Sequence, residues 1–181
     1  MARFYETLTS DLADFIRRQH IYFTASASAT GRINLSPKGM DTFRILSDTR
    51  VAYLDLTGSG NETSAHLLRD GRLTIMFCSF DAKPVMLRLY GKGAVVRPRD
   101  PAWTDLIGRF EPMPGQRQII VLNIESVQTS CGFAVPRYEH VEDRTMLNDW
   151  AAKKGEDGIR DYWEKKNRVS IDGFETKLLL D

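Results

Sequence analysis

Residues 51–77, VAYLDLTGSGNETSAHLLRDGRLTIMF, place a turn suited to phosphate between two predicted secondary-structure elements. A strand-like run ends at Thr57-Gly58-Ser59-Gly60, and Asn61 begins a short predicted helix that Asp70-Gly71 ends. Backbone N–H groups at such a turn, together with the positive end of a helix dipole, attract a phosphate group. Many strand-to-helix junctions have this composition for structural reasons alone. Two interpretations therefore stay open here, an anion site and a purely structural turn.

Other residue types that carry chemistry do not converge on a motif. The three histidines, His20, His66 and His140, lie far apart without CxxC or HxxxH spacing, so the sequence predicts no metal site. Each is expected to be exposed or half-buried. Cys78 and Cys131 lie in apolar, strand-like runs, which favours buried free thiols over a disulfide. No pattern demands a general base, and the catalytic residues are left unassigned.

The composition favours one domain over residues 1–181. With 42% hydrophobic residues, a chain of 181 residues can bury one full core. Lys and Arg number 25 against 24 Asp and Glu, and no basic stripe points to nucleic acid. No apolar run approaches the roughly 20 residues that span a bilayer, and the amino-terminal segment does not resemble a signal peptide. We therefore expect a cytoplasmic protein without a membrane or nucleic-acid partner.

Hydrophobic periodicity predicts the elements that position the turn. Leu8, Leu12, Phe15 and Ile16 have helical spacing, with Thr9 or Ser10 as the N-cap. Residues with strand character lie at 21–28, 33–36, 43–46, 51–56, 72–79, 85–97, 119–124 and 126–134, and further helices are expected at 61–69 and from 101 onward. About seven strands and three to five helices are expected, which is an α+β class with a small barrel at its centre.

Three further features refine the predicted fold. Pro37 cannot donate to a sheet ladder, so pairing should be interrupted there or lie at an edge. Gly91 and Gly93 suggest a bulge or bend where the sheet curls. From about residue 141 charged, helix-favouring residues dominate, and two short helices over the barrel or a partner subunit are expected, with anchors at Trp150, Ile159, Tyr162 and Trp163.

The order of these motifs resembles the pyridoxamine 5′-phosphate oxidase-like family, the FMN-binding split barrel. The resemblance covers residues 8–134: a leading helix, a strand pair ending at Lys38, the VAYLDLTGSGNETSAHL turn and helix, GRLTIMF, and VMLRLYGKGAVV. It implies an α+β fold with a small antiparallel split β-barrel at 8–134, peripheral helices, and a helical C-terminal extension at 141–181. It also implies a homodimer that binds FMN at the subunit interface.

The resemblance assigns roles residue by residue. Lys38 matches the lysine that reaches the FMN phosphate, and Leu56 and Thr57 match the pair that closes the strand beside the flavin. Asn61, Glu62 and Thr63 fall on a Ser-Arg-Lys triplet that grips the phosphate, and Met86 falls near the isoalloxazine ring. Ser36 and Arg88 are candidate hydrogen-bond donors to the flavin, and the hydroxyl of Ser59 is a further candidate donor to the phosphate. The implied cofactor site is Ser36, Lys38, Leu56, Thr57, Gly58, Ser59, Asn61, Glu62, Thr63, Met86 and Arg88.

The chain also departs from the family pattern. Glu62-Thr63 stands where the oxidases carry Arg-Lys, and Ile33 stands where an arginine begins the R-x-x-x-x-K pattern. The C-terminal motif that holds pyridoxal phosphate has no match, and the segments TSCGFAVPRYEHV and DYWEKKNRVSIDGF resemble a separate branch of the superfamily. We therefore expect an FMN-dependent oxidoreductase acting on an unknown small molecule, not a true pyridoxamine 5′-phosphate oxidase. The alternatives are a non-catalytic flavin carrier or sensor, a split barrel that uses F420, and, ranked last, a haem protein.

Overall fold

The computed structural model describes residues 2–179, which form eight strands and four helices. In chain order these are β1 (Arg3–Tyr5), α1 (Ser10–Arg17), β2 (Tyr22–Ser26), β3 (Asn34–Lys38), β4 (Phe43–Ser47), β5 (Arg50–Leu56), α2 (Glu62–Leu67), β6 (Arg72–Cys78), β7 (Val85–Val96), α3 (Trp103–Ile107), β8 (Gln116–Cys131) and α4 (Met146–Lys166). The α+β class with an antiparallel sheet is confirmed.

One antiparallel sheet carries all the strands, in the order β3-β2-β6-β7-β8-β5-β4, with β1 paired to β8. β3 and β4 are its edges. Pro37 lies in edge strand β3, which is one of the two predicted arrangements. The pairing of β7 with β8 shifts between Tyr90 and Gly91, which confirms the predicted bend. A Cβ at Gly91 would lie 1.9 Å from the carbonyl oxygen of Asn123, so glycine is required there.

Two apolar clusters form the core on opposite sides of the β5–β8 pair. The larger contains Tyr53, Phe77 and Ile120, and the smaller contains Leu54 and Val121 under helix α3. Because β5 and β8 bury side chains on both faces, residues 119–124 form the nearly continuous apolar run seen in the sequence. α1 packs on the first cluster, with Thr9 as its N-cap.

Several boundaries differ from the sequence prediction. Residues 119–124 and 126–134, predicted as two strands, belong mostly to the single strand β8, whose pairing partner changes from β5 to β1 along its length. The three-residue β1 was not predicted, since it is too short to show periodicity. α4 combines the two predicted tail helices, and Gly155, at φ 66°, breaks the helical conformation between them.

The predicted environments of two residues were wrong. Cys78 is buried as expected, but Cys131 is exposed because it is the last residue of β8. His66 is only 1% exposed, whereas a surface or half-buried position was expected. It lies on α2, and its Nδ1 is 3.1 Å from the hydroxyl of Ser26 on β2.

Among residues 2–179 no helix is long and apolar enough to cross a membrane.

Candidate functional site

The structure separates the predicted site residues into several places. Ser36 and Lys38 lie on the inner face of edge strand β3, the face that carries the buried Tyr22 and Thr24 of β2. Thr63, at the start of α2, lies beside this face and accepts a hydrogen bond from Asn34 of β3. The turn of residues 57–62 lies under the C-terminal part of the chain. Met86 and Arg88 point to the opposite face of the sheet, and Leu56 packs against the smaller core cluster. The predicted residues therefore do not form a single cluster within the chain.

The inner side of β3 carries a row of polar side chains, which we call the β3 row (Asn34, Ser36 and Lys38). Strand alternation and the register with β2 place all three on the face that also carries Thr24. The Asn34 amide donates to the hydroxyl of Thr63 across 3.1 Å, and the Ser36 hydroxyl donates to Asn34 Oδ1 across 3.2 Å. All three side chains of the row are half-buried, so each keeps one side open to a ligand.

Lys38 belongs to a buried charge cluster that the sequence analysis missed. Its Nζ donates to Asp55 Oδ1 across 2.9 Å, while Arg117 donates to Asp55 Oδ2 from Nη2 and Nε, across 2.7 and 3.2 Å. Gln118 adds a third donor to Oδ2, at 2.8 Å. Burial alone would raise the pKa of Asp55, but the charges of Arg117 and Lys38 outweigh it and hold that pKa well below its usual range. Two cations around one carboxylate leave one net positive charge.

Beside this cluster lies a polar atom without a partner. Tyr53 is fully buried, and burial raises the pKa of its phenol far above the usual range, so the side chain is neutral. Its hydroxyl lies close to the hydroxyls of Thr63 and Thr24, but no hydrogen bond of good geometry joins it to any residue between 2 and 179. Buried hydroxyls are nearly always paired, so this one is unusual, but its oxygen has almost no accessible surface and lies behind the β3 row, not in open space.

The turn of residues 57–62 is held by the last part of the chain, residues 163–178, which we call the C-terminal strap. The indole of Trp163 donates to the Thr57 hydroxyl across 2.8 Å, and Asn167 Nδ2 donates to the carbonyl of Gly58 across 3.1 Å. The carboxylate of Glu62 accepts from the backbone N–H of Ile171. The chain itself therefore occupies the Thr57 hydroxyl and the Glu62 carboxylate, two of the side chains that the sequence analysis placed at the phosphate.

The geometry of the turn agrees with this structural role. Neither Gly58 nor Gly60 has a positive φ, so the two glycines do not mark a left-handed backbone. Ser59 is exposed, and Asn61 makes no side-chain cap for α2. A phosphate in front of this turn would face the Glu62 carboxylate, which is unfavourable. The donor set that fits an anionic group is that of the β3 row and Thr63, next to the net positive charge of Lys38, Asp55 and Arg117.

Met86 and Arg88 lie on the outer face of the sheet. The register pairs Met76 with Arg88, Phe23 with Met76, and Pro37 with Phe23, so these side chains share one face. Arg88 Nη1 donates to the hydroxyl of Ser130 across 3.2 Å, and its Nη2 lies 4.0 Å from the sulfur of Met86. The sequence prediction placed these two residues beside the same cofactor as Lys38, and the sheet separates them onto opposite faces.

A groove at the end of β3 is lined by residues from both faces of that strand. It has a volume of about 720 Å³ and is lined by Lys38 and Pro37, with the Phe80 and Tyr138 rings 5.6 Å apart in its wall. Pro37 lies on the outer face, whereas Lys38 lies on the inner one. His140 stacks on His20 beside the groove, with ring centroids 3.8 Å apart.

Within the described residues no group of three or more His, Cys, Asp or Glu side chains could hold a metal ion.

The sequence contains evidence for some of the residues that sequence reasoning missed, but not for all of them. Asp55 is a carboxylate inside the apolar run VAYLDL, and a charge inside a strand buried on both faces indicates a buried partner. Arg117 is the second residue of β8, the other strand that is buried on both faces, and carries the same signal. Nothing in the sequence indicates that Asn167 is buried, because a single amide in the charged C-terminal segment resembles a solvent-exposed residue.

Comparisons with known proteins agree with this architecture. The sequence profile of the family described as pyridoxamine 5′-phosphate oxidase matches residues 8–131. The chain is 47% identical, over 141 residues, to the pyridoxamine 5′-phosphate oxidase family protein ustO of Aspergillus flavus; the match covers 75% of this chain but 57% of that protein. The chain thus spans little more than half the length of this relative.

Two solved structures share the fold. One, from Lactobacillus delbrueckii, is named after pyridoxamine 5′-phosphate oxidase and superposes with a TM-score of 0.55 at 19% identity, covering 67% of this chain and 94% of that one. The FAD binding protein of Mycobacterium smegmatis superposes with a TM-score of 0.50 at 12% identity, covering 70% and 97%. The profile match, which covers more than half of the chain, shows that the protein belongs to the pyridoxamine 5′-phosphate oxidase family.

Proposed function

We propose that this protein is a flavin-binding oxidoreductase that uses FMN and acts on a small molecule. The observation that carries the proposal is the half-buried β3 row beside the one net positive charge of Lys38, Asp55 and Arg117. A solved protein of this fold is described as binding FAD, which supports a flavin as a ligand that the fold can hold.

The charge of the β3 row suits the phosphate end of FMN. A phosphate monoester carries about 1.5 to 2 negative charges near neutral pH, and burying it without cations is costly. Lys38 has three ammonium donors, and one of them is used by Asp55. The remaining donors of Lys38, with the hydroxyls of Ser36 and Thr63, would hold the phosphate oxygens, and the carboxylate–arginine pair behind Lys38 keeps the ammonium in place.

The groove at the end of β3 suits the flavin ring. Its volume of about 720 Å³ lies in the range of small-molecule sites, and Phe80 and Tyr138 offer apolar ring faces. When bound, the flavin supplies hydride and electron transfer at its N5 atom. The side chains of this protein would orient the ring and exclude water from one of its faces. Arg88 and Met86 do not line the groove but lie on the same face of the sheet as Pro37, and in the proposal they approach the ring from that side.

We also propose that the protein is a homodimer joined through the outer face of the sheet. This face carries Phe23, Met76 and the exposed Leu35 on neighbouring strands, and an apolar face of this breadth is typical of an interface. The groove opens toward the same face through Pro37. A second subunit would therefore cover the open side of the ring.

Cofactor identification on the purified protein tests the proposal. We expect a yellow protein whose visible spectrum is that of an oxidised flavin and which releases FMN on denaturation. Reduction by NADH or NADPH followed by reoxidation with an acceptor distinguishes an enzyme from a carrier. A colourless protein that does not bind added FMN would contradict the proposal, and the recovery of F420 would replace the cofactor while keeping the redox function.

A further inference from the structure

Asn167 occupies a buried position where the C-terminal strap meets the interior. It follows helix α4 directly and is 0% exposed. Its Oδ1 accepts from Arg117 Nη1 across 2.8 Å, and its Nδ2 donates to the carbonyl of Gly58 across 3.1 Å. Its own carbonyl accepts from the Thr176 hydroxyl across 2.7 Å. Both ends of the amide are fixed, so its orientation is set by the fold.

A continuous path of charged contacts runs from this amide to the β3 row. Arg117 bonds Asn167 Oδ1 from Nη1, and it bonds Asp55 from Nε and Nη2. The side chains of Arg117 and Asp55 are only 3% and 4% exposed, so water screens these contacts little. Lys38 completes the path by donating to the other oxygen of Asp55.

The two oxygens of Asp55 are divided between its two cationic partners. Both contacts from Arg117 reach Oδ2, at 3.2 and 2.7 Å, and Oδ1 is left to Lys38, at 2.9 Å. A guanidinium facing a carboxylate prefers a bidentate arrangement that uses both oxygens. Here Nη1 is instead held by Asn167 and by the carbonyl of Gly60, which turns the guanidinium away from Oδ1.

We propose that Asn167 is a positioning residue that reserves Asp55 Oδ1 for Lys38 and so fixes the ammonium that selects an anionic ligand. Through Asn167, the C-terminal strap then helps to determine which ligands bind at the β3 row. Without the Asn167 acceptor, Nη1 would keep one of its two acceptors, the Gly60 carbonyl, and the less firmly held guanidinium would compete with Lys38 for Oδ1. This inference rests on the proposed function for its ligand, but the position of Lys38 can be measured without one.

The ligand test compares FMN with riboflavin, which lacks the phosphate. In Asn167→Ala we expect the Kd for FMN to rise about tenfold, which corresponds to one charge-assisted hydrogen bond, while the Kd for riboflavin stays within about twofold. Ser170→Ala is the matched control. Among residues 2–179 its hydroxyl accepts from the strap backbone N–H groups of Asp172 and Phe174 alone, so its removal loosens the strap without touching the charge path. We expect no change in the FMN-to-riboflavin ratio in this control.

The ligand-free test measures the accessibility of the Lys38 amine by limited acetylation and peptide mass spectrometry, with the exposed Lys92 as internal reference. Asn167→Ala should raise the relative rate at Lys38. Asn167→Asp keeps an acceptor oxygen for Arg117 and should leave that rate no higher than in the unaltered protein. A strap that is merely loosened would raise it in both variants and in Ser170→Ala.

The two tests separate the possible failures. If neither flavin binds the unaltered protein, the proposed function fails, and the acetylation rates still decide the role of Asn167. If Lys38 is acetylated at the same rate in Asn167→Ala as in the unaltered protein, or equally fast in both Asn167 variants, the positioning role is overturned. An equal loss of affinity for FMN and riboflavin in Asn167→Ala overturns its role in specificity.

Discussion

The carboxylate of Glu62 accepts from the backbone N–H of Ile171, at 3.1 and 3.2 Å to its two oxygens, across 109 positions of the sequence. Glu62 stands where the resemblance implies a cation, and this contact accounts for an acid at that position. It fastens the C-terminal strap, as Trp163 does through Thr57. The turn thus binds the C-terminal strap of its own chain, and the positive charge that we propose for an anionic ligand lies at Lys38 instead.

Replacing Lys38 should affect the phosphate end of the ligand selectively. In Lys38→Ala we expect the Kd for FMN to rise about tenfold to a hundredfold, the range for hydrogen bonds from a charged group, with little change for riboflavin. The fold should persist, because Asp55 keeps its contacts with Arg117. Fluorescence titration with both flavins measures the effect. Lys92→Ala removes the same charge from an exposed position and should change neither Kd, whereas an equal loss for both flavins would remove Lys38 from the phosphate site.

The Asp55 carboxylate should make stability depend on pH in acid. Because its pKa in the folded protein lies below the unfolded value of about 4, its contribution is fully present above that pH and is lost as the pH falls further. Asp55→Asn leaves two cations without their carboxylate, so we expect a loss of about 3 kcal/mol at neutral pH. Urea unfolding across pH should show the difference from the unaltered protein narrowing below about pH 4.

Asp14→Asn provides the contrast for this measurement. It removes an ion pair with Arg17 in which both side chains are about 60% exposed, and such pairs contribute about 0 to 1 kcal/mol. We expect only a small change in stability for this variant. A difference between Asp55→Asn and the unaltered protein that is constant from neutral to acid pH would contradict the role assigned to Asp55.

The elements of the fold were predictable because their signals are local. The helical spacing of Phe15 and Ile16 and the apolar run of residues 119–124 reflect burial that repeats along a single element. The bend at Gly91 was predictable for the same reason, since a glycine inside a strand often marks a bulge or a close backbone approach. Strand β8 was divided in two because its polar residues, such as Glu125, mark a change of partner and not an end.

The candidate site was predictable only in part because its contacts join distant residues. Lys38 was found at the end of a strand, but its carboxylate partner lies 17 positions away and the arginine on that carboxylate lies 62 positions further. The strap contacts with Thr57 and Gly58 span 106 and 109 positions. Hydrophobic periodicity does not reveal contacts between residues so far apart in the sequence. The local composition of the turn therefore suggested a phosphate site, because the C-terminal strap that covers the turn could not be foreseen.

The two glycines Gly91 and Gly58, both singled out in the sequence, should respond differently to a methyl group. A Cβ at Gly91 would lie 1.9 Å from a backbone oxygen, and backbone cannot move aside cheaply. A Cβ at Gly58 would have nothing within 4 Å. We expect Gly91→Ala to lower the free energy of unfolding by about 2 kcal/mol or more, and Gly58→Ala to change it by less than about 0.5 kcal/mol. Urea unfolding of both variants tests this, and equal losses would contradict it.

The two cysteines should differ in reactivity. Burial raises the pKa of the Cys78 thiol, whereas Cys131 is exposed at the end of β8. Since the thiolate is the reactive form, Ellman's reagent should modify one thiol rapidly and the second only on unfolding. Cys131→Ser should abolish the rapid phase and Cys78→Ser should keep it. Two rapid thiols, or none, in the native protein would contradict these environments.

The outer face of the sheet can be tested as a dimer interface without disturbing the core. Leu35 is 65% exposed on β3 and shares this face with Ala25 and Thr74 through the register. Its replacement by glutamate should not destabilise the subunit, but a charge inside a buried interface would be unpaired.

We therefore expect light scattering after size exclusion to show a dimer for the unaltered protein and a monomer for Leu35→Glu at the same concentration. Val141→Glu, at a residue that is 88% exposed and outside the sheet, should remain a dimer. If the unaltered protein is monomeric, the apolar outer face does not join two subunits. If Leu35→Glu remains a dimer, the subunits associate through a different surface, and the open side of the groove is not covered by the partner.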